Sequence, residues 1–491
     1  MNLKTNLLFA SIVLALTACS QSLPQVPALG DPLVQAARTT QTTRTAQIWL
    51  TTPDGRQKIA AQPGVAFKSG VTPVSGAVTV DPKVTYQSIK GFGAALTESS
   101  AYLMTDKMSG TQRSALLRQL FDPAGGIGLS YVRIPLGASD FARSSYTYHD
   151  LPAGVVDESL TSFSLARDEQ YVLPLARDIR ATSPEVRFMG TPWSAPAWMK
   201  DTAHLNGGQL LPEWRSAYSN YLLRAVQGYA QSGVPLDMLT LQNEPRHETG
   251  GYPSMRLEPA DAAGLVKQLA PALQNAGLQT GLLGWDHNWD DTSYPLALLG
   301  DQGARDALAG TAFHCYGGDV SAQSKIRDAY PDKDVYFTEC SGGGWATNWG
   351  NNLAWNVQHL VIGATRNWAR TVLLWNLALD PQGGPTNGGC SNCRGVVTVD
   401  PASGGVTLNE EYYALGHAAR FVRPGAVRIA SASYGAGNIQ TVAFRNPDGT
   451  RALIVLNGSS SNRKVQVVEN GAGFTYTLPA GAVATITWPA S

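Results

Sequence analysis

The sequence predicts an α/β fold, a (β/α)8 barrel with β-strand segments on both flanks. Three observations lead there. Between residues 87 and 420, eight short apolar runs alternate with longer stretches of helical periodicity. Residues 45–86 and 421–491 instead show short alternating segments broken by Pro and Gly. The composition, Gly 50, Pro 29 and Trp 12 in 491 residues, suits a large loop-rich domain with a lined cleft rather than a helical bundle. Basic and acidic side chains balance at 37 each, and 15% of residues are charged. That balance excludes a charge-driven disordered chain and a generally basic nucleic-acid binder.

The elements follow in chain order. Leu7 to Ala18 is a mostly apolar run after a single Lys, too short to span a bilayer as a helix, and reads as a secretory signal over residues 1–18. Leu16-Thr17-Ala18-Cys19 resembles a bacterial lipobox. Acylation of Cys19 is therefore expected, with the protein exported and anchored at an outer membrane or cell surface; plain secretion is the alternative. Residues 19–44 are rich in Gln, Thr, Ala and Pro and read as a flexible tether. The lipid anchor is the only membrane contact expected. Residues 45–86 hold two strand candidates, Ala46–Thr51 and Gly76–Tyr86.

The barrel is expected over 87–420. Its strand candidates are Ile89–Ala94, Leu129–Pro135, Val186–Thr191, Met238–Gln242, Thr280–Trp285, Gly310–His314, Asp334–Thr338 and Thr371–Trp375. Helical patterns lie between them at Thr111–Phe121, Leu165–Ile179, Trp214–Gln231, Asp261–Ala276 and Ala354–Ala369. From 421 to 491 the runs Ile439–Phe444, Arg451–Leu456, Lys464–Val468 and Ala482–Trp488 are separated by turn signals such as Asn446-Pro447-Asp448-Gly449.

In such a barrel the chemistry sits where the strands end. Those ends carry Glu98, Asp140, Trp193, Asn243-Glu244-Pro245, Trp285-Asp286, His314-Cys315-Tyr316, Glu339 and Trp375-Asn376. Carboxylates, tryptophans, Asn, His and Tyr around one mouth suit a carbohydrate: sugar faces stack on aromatic rings, and hydroxyls need paired hydrogen-bonding groups. Each Trp alone is equally well explained by rim packing. Glycoside hydrolysis needs two carboxyl groups, one to protonate the leaving oxygen and one to attack or to activate water. Glu244 after the fourth strand and Glu339 after the seventh meet that need. Pro245 is expected to end the fourth strand.

Five cysteines are too few for a disulfide scaffold. Cys390 and Cys393 form a short pair in a Gly-rich loop, for which a local disulfide is favoured over free thiols or a metal half-site. Cys315 and Cys340 show no matching pair spacing. The histidines do not assemble a ligand set, and no glycine-rich phosphate cradle follows a strand, so no metal or cofactor is expected.

An ordered set of motifs carries a resemblance. They are Lys90-Gly91-Phe92-Gly93 with Thr97-Glu98; Tyr131-Val132-Arg133-Ile134-Pro135 leading to Ser139-Asp140-Phe141; Thr191-Pro192-Trp193-Ser194-Ala195-Pro196; Leu241-Gln242-Asn243-Glu244-Pro245; Thr338-Glu339-Cys340; Trp375-Asn376-Leu377; and Asp380-Pro381-Gln382-Gly383-Gly384-Pro385. From about residue 45 onward the chain resembles glycoside hydrolase family 30, the glucosylceramidase and endo-β-1,6-glucanase group. The resemblance implies that the N-terminal strands (45–86) and the C-terminal strands (421–491) join in one β-sandwich beside the barrel. It implies a retaining mechanism, with Glu244 as acid/base and Glu339 as nucleophile, their carboxyls about 5 to 5.5 Å apart. Asn243 would bind the hydroxyl next to the anomeric carbon. Asp140, Trp193 and Trp375 would wall the sugar subsite. Asn376, His314 and Tyr316 would support it at the substrate-binding rim, Tyr316 touching the nucleophile. Arg133 would be the buried arginine that keeps the nucleophile ionised.

Two departures bear on substrate. Cys315 stands where related glucosylceramidases often place Trp. The loop Asn387–Arg394, with its Cys pair, looks more like the bacterial and fungal β-1,6-glucanase members. The expected activity is cleavage of a β-glucan or β-glucoside by a monomer, with endo-β-1,6-glucanase first. Glucosylceramidase and exo-acting β-glucosidase or β-xylosidase are the alternatives. A non-catalytic glycan binder would have lost a carboxylate, and both are present.

Overall fold

A computed structural model describes residues 44–490. The apolar leader, Cys19 and the tether as far as residue 43 lie outside the described residues. Eight parallel strands close into a barrel in chain order: Gly91–Ala95, Tyr131–Leu136, Arg187–Pro192, Leu236–Thr240, Gly281–Asn288, Leu308–His314, Asp334–Glu339 and Ala369–Asn376. The eighth pairs with the first, Leu373 opposite Gly93. Closure brings backbones close. A Cβ on Gly93 would lie 1.7 Å from the Tyr131 carbonyl oxygen, so only glycine fits there. All eight strand candidates are present, shifted at their ends by a few residues.

The outer helices follow their apolar spacing. Gly110–Phe121 begins with a Ser109/Gln112 capping box and buries Leu116, Leu117, Leu120 and Phe121. Two helical expectations are corrected. The stretch 165–179 is a short 3-10 turn at Asp168–Gln170 followed by a helix at Val172–Thr182, because Asp168 is drawn inward by the Tyr146, Tyr148 and Tyr229 hydroxyls. The last barrel helix starts earlier, at Trp349, and continues as a wider π-helical stretch over Asn356–Ala364. Ala369, expected in that helix, already opens strand eight.

The flanking segments share one sandwich. One sheet runs in the order Ala60–Ala66, Thr45–Thr51, Val483–Trp488, Arg451–Asn457, Ile439–Arg445, Val427–Ser431, Val78–Ser88. The long strand Val78–Ser88 also pairs with Arg463–Glu469, which continues to Ala472–Leu478 and Lys68–Ser69. Ile48, Val80, Leu453, Val467, Phe474 and Trp488 are among its core residues. Ala60–Ala66 escapes a sequence reading because Pro63 and Gly64 interrupt it, and it is tolerated as an edge strand. The helix Glu410–Ala419 ties barrel to sandwich: buried His417 bonds Thr51 and Thr485 through its two ring nitrogens, at 2.7 and 2.9 Å. Burial lowers its pKa to about 3, so the ring is neutral. Among the described residues no helix is long and apolar enough to cross a membrane.

Candidate active site

Alternation along the barrel strands builds the floor of the site. Tyr131, Met189, Met238, Leu283, Ala312, Tyr336 and Leu373 pack as one cluster inside the barrel. Two residues further along a strand the side chain points inward again. There the sequence turns polar, with Arg133, Thr191, Thr240 and Thr338. The fifth strand breaks the pattern. Its register against strand six shifts between Trp285 and His287, and Trp285 and Asp286 take φ of 70° and 61°. This bulge turns the Asp286 carboxylate into the polar layer.

Arg133, fully buried, is the hub of that layer. Its guanidinium donates to Glu339 at 2.5 Å, to Asp286 at 2.9 Å, to the Asn243 side-chain oxygen at 2.8 Å and to Thr191 at 3.2 Å. It also lies under Trp193 and Trp375, 5.0 and 5.5 Å from their ring centres. Removing one partner from such a buried ion pair costs roughly 3–5 kcal/mol. Asp286 is fixed as an acceptor: besides Arg133, the Thr240 and Thr338 hydroxyls donate to it at 2.8 and 2.7 Å. Burial alone would raise its pKa, but Arg133 and His314 hold it well below the ordinary carboxylate range.

Glu339 ends strand seven and accepts from the Tyr316 hydroxyl at 2.9 Å. Burial first, then the charges of Glu244 and Asp286, push its carboxyl up. His314 and Arg133 oppose this, and both of its donors select the ionised form. Glu244 lies outside the fourth strand, whose pairing ends at Thr240. Pro245 therefore does not end the strand. Instead Glu244 adopts φ 46°, uncommon for a residue before proline. The turn is held by the Glu244 N–H donating to the Asp286 carbonyl and by the His247 N–H donating to the Glu244 carbonyl. The side chain meets His314 Nδ1 at 3.0 Å. Against the cost of burial, that bond and the positive charge of His314 set its carboxyl below the ordinary value.

These groups open into a cleft of about 420 Å³. Asp140, Trp193, Asn243 and Trp375 line it together with Glu244, Tyr316 and Glu339. Trp193 and Trp375 stack at 5.2 Å with 19° between their planes. Burial, then the charges of Glu339 and Glu244, pushes the Asp140 carboxyl well up. In its neutral form it can both donate to and accept from a hydroxyl. Cys390 and Cys393 are bonded to each other and line the same wall. Their loop presses on Asp140: a Cβ on Gly389 would lie 2.4 Å from the Asp140 Cβ.

Three sequence expectations are corrected. His314 is fully buried behind the wall, both nitrogens taken by carboxylates, so it does not face substrate. Asn376 is buried too, accepting from Thr97 at 2.9 Å. Glu98, read at the rim, opens a helix and pairs with Arg143 at 2.9 Å instead. A further bond was not foreseen: Cys315 and Cys340, the residues after His314 and Glu339, form a disulfide. Strands six and seven are neighbours with His314 opposite Glu339, a proximity that spacing alone does not reveal.

The cleft also holds residues without a sequence-level role: His247, Tyr252, His287, Asn288, Ser341 and Trp345. Each follows a strand-end residue already singled out, so reading the loops a few positions further would have reached them. Among the described residues, Glu244, His287 and His314 are the one His/Cys/Asp/Glu group close enough to hold an ion. With both His314 nitrogens committed to carboxylates, the set lacks the free lone pairs a metal needs.

The glycosyl hydrolase family 30 TIM-barrel domain matches residues 89–422, and the family 30 β-sandwich domain matches 425–486. The chain belongs to glycosyl hydrolase family 30. It is a retaining O-glycoside hydrolase. An endo-1,6-β-D-glucanase of Aspergillus fumigatus is 33% identical over 432 residues, 82% of this chain and 86% of that protein. The lysosomal acid glucosylceramidase of Mus musculus is 28% identical over 447 residues, 84% and 83% of the two. The solved structure of the endo-β-1,6-glucanase BT3312 aligns with a TM-score of 0.85 at 32% identity, covering 91% of this chain and 99% of that one.

Proposed function

We propose that this family 30 hydrolase is an endo-β-1,6-glucanase. The observation that carries the reading is the 32–33% identity, over most of the chain, to proteins named for that activity. Glucosylceramidases match at lower identity. In the proposed double displacement Glu339 attacks the anomeric carbon while Glu244 protonates the leaving oxygen. Glu244 then draws a proton from the water that releases the glycosyl-enzyme. Arg133 and Tyr316 hold the attacking carboxylate in its ionised form and fix its aim. Asn243, its side-chain oxygen held by Arg133, keeps its amide for the hydroxyl beside the anomeric carbon. Asp140 and the Trp193/Trp375 pair hold an uncharged sugar.

Export as a lipoprotein through Cys19 is part of the same proposal, resting on the leader sequence. Two disulfides suit an oxidising compartment. The boundaries 87–420 for the barrel and 45–86 with 421–491 for the sandwich complete it. A substrate panel with product analysis tests the activity: β-1,6-glucan, glucosylceramide and aryl β-glucosides. Oligosaccharides released from β-1,6-glucan support it. Glucose alone, or turnover of glucosylceramide but not of glucan, refutes it.

A further inference from the structure

The bond between His314 and Glu244 has a fixed proton count. Asp286 receives hydrogen bonds from Arg133, Thr240 and Thr338, so it is ionised and can only accept. His314 Nε2, 3.0 Å from Asp286 Oδ1, therefore carries a hydrogen. On the other side Nδ1 lies 3.0 Å from Glu244 Oε1. A lone pair on Nδ1 facing an ionised carboxylate would be repulsive, so one proton must lie in that contact. It belongs either to an imidazolium or to the Glu244 carboxyl.

We propose that His314 holds the catalytic proton on Nδ1 in the free enzyme and passes it to Glu244 Oε1 when a glycoside occupies the cleft. This rests on Glu244 being the acid/base. The imidazolium is favoured because the ring is enclosed by negative groups from several elements: Glu244 beyond strand four, Asp286 on strand five and Glu339 on strand seven. The cationic and neutral groups nearby are Arg133 on strand two, which is engaged by Asp286 and Glu339, and His287 on strand five. Tyr316 lies edge-on to the ring. Burial disfavours the cation, yet Glu339, Asp286 and the two hydrogen bonds raise the ring's pKa to about 9. His287 is held down by burial and stays neutral.

The steps balance. The Nδ1–H bond breaks as Oε1–H forms. Glu244 gives this proton to the leaving oxygen, which takes the electron pair of the breaking C–O bond, while Glu339 bonds the anomeric carbon. In the second half Glu244 removes a proton from water, whose oxygen displaces Glu339. That proton returns to Nδ1. His314 never touches the sugar and acts through Glu244, as a positioning residue for its proton.

Two measurements decide it. In the wild type the alkaline limb of kcat/KM against pH reports proton loss from the imidazolium and falls at about 9. In His314→Gln the limb reports a lone buried carboxyl and moves at least about 2 pH units lower. A merely structural His314 would lower the rate at every pH and leave the limb in place, which overturns the proposal. Should the variant fail to fold, neutron diffraction from deuterated wild-type crystals near neutral pD decides. Deuterons on both His314 nitrogens and none on Glu244 are expected; a deuteron on Glu244 with Nδ1 bare refutes it. The neutron result is read without substrate, so it stands apart from the choice of glucan.

Discussion

Cutting the Cys315–Cys340 bridge should cost more stability than cutting Cys390–Cys393, and the structure sets by how much. The first closes a sequence separation of 25 residues and the second a separation of 3. With chain entropy of the unfolded state as the source, the first contributes about 3.5 kcal/mol at 25 °C and the second about 1.6 kcal/mol. Unfolding entropy of about 2.1 cal/mol/K per residue, over some 450 residues, converts these to melting shifts of about 4 °C and 2 °C. The double variants Cys315→Ala/Cys340→Ala and Cys390→Ala/Cys393→Ala, compared by calorimetry, give both numbers. The bridges also differ in what they steady. Cys340 follows Glu339 and Cys315 follows His314, so the first variant should also lose kcat on every glycoside. The second, which lines the sugar wall, should show its effect mainly in KM. An equal or larger melting shift from the short bridge would refute the entropic reasoning. An untouched kcat in the first variant would refute the steadying role.

Other outcomes follow from the same geometry. Glu339→Gln should abolish turnover, by 10⁴-fold or about that order, while calorimetry still shows a folded protein and titration still shows oligosaccharide binding; near-normal turnover would remove Glu339 from the nucleophile's place. Glu244→Gln should slow glycosides with poor leaving groups by roughly 10²–10⁴-fold and activated aryl glucosides far less in the glycosylation step, so an equal loss on both counts against the acid role. Asp168, buried under three tyrosine hydroxyls, has its pKa raised by burial to about 6. A carboxyl raised above its unfolded value contributes stability at low pH and loses it as pH climbs from about 4 to 6, here by about 3 kcal/mol at most. Urea unfolding at several pH values should show that slope in the wild type and its loss in Asp168→Asn; parallel curves would sink it.

How much was legible depends on the range of the interactions. Strand-length apolar runs and helical periodicity are local signals, and each of the eight barrel strands announced itself this way. The first turn after a strand is local too, which is why Glu244, Glu339, Asp140, Trp193 and Trp375 could be found as strand-end residues. What failed was longer in range. Glu98 stands after a strand as these do, but its partner is Arg143, 45 positions further along the chain. His314 reads as a rim residue until Asp286 and Glu244 are seen to enclose it.

By itself the sequence determined a barrel, β-rich ends and two carboxyl groups at strand ends, because period, turn chemistry and strand order are written along the chain. Only the tertiary structure decided three matters. It set which strands of the two ends pair and in what register, Thr45–Thr51 beside Val483–Trp488, where the resemblance had implied only a shared sandwich. It joined Cys315 to Cys340 across neighbouring strands. It also turned Asp286 inward through a bulge, so that Arg133, His314 and both glutamates share one buried charge network. The reason is physical: pairing partners, bulges and burial depend on residues tens to hundreds of positions away, and protonation depends on all of them at once.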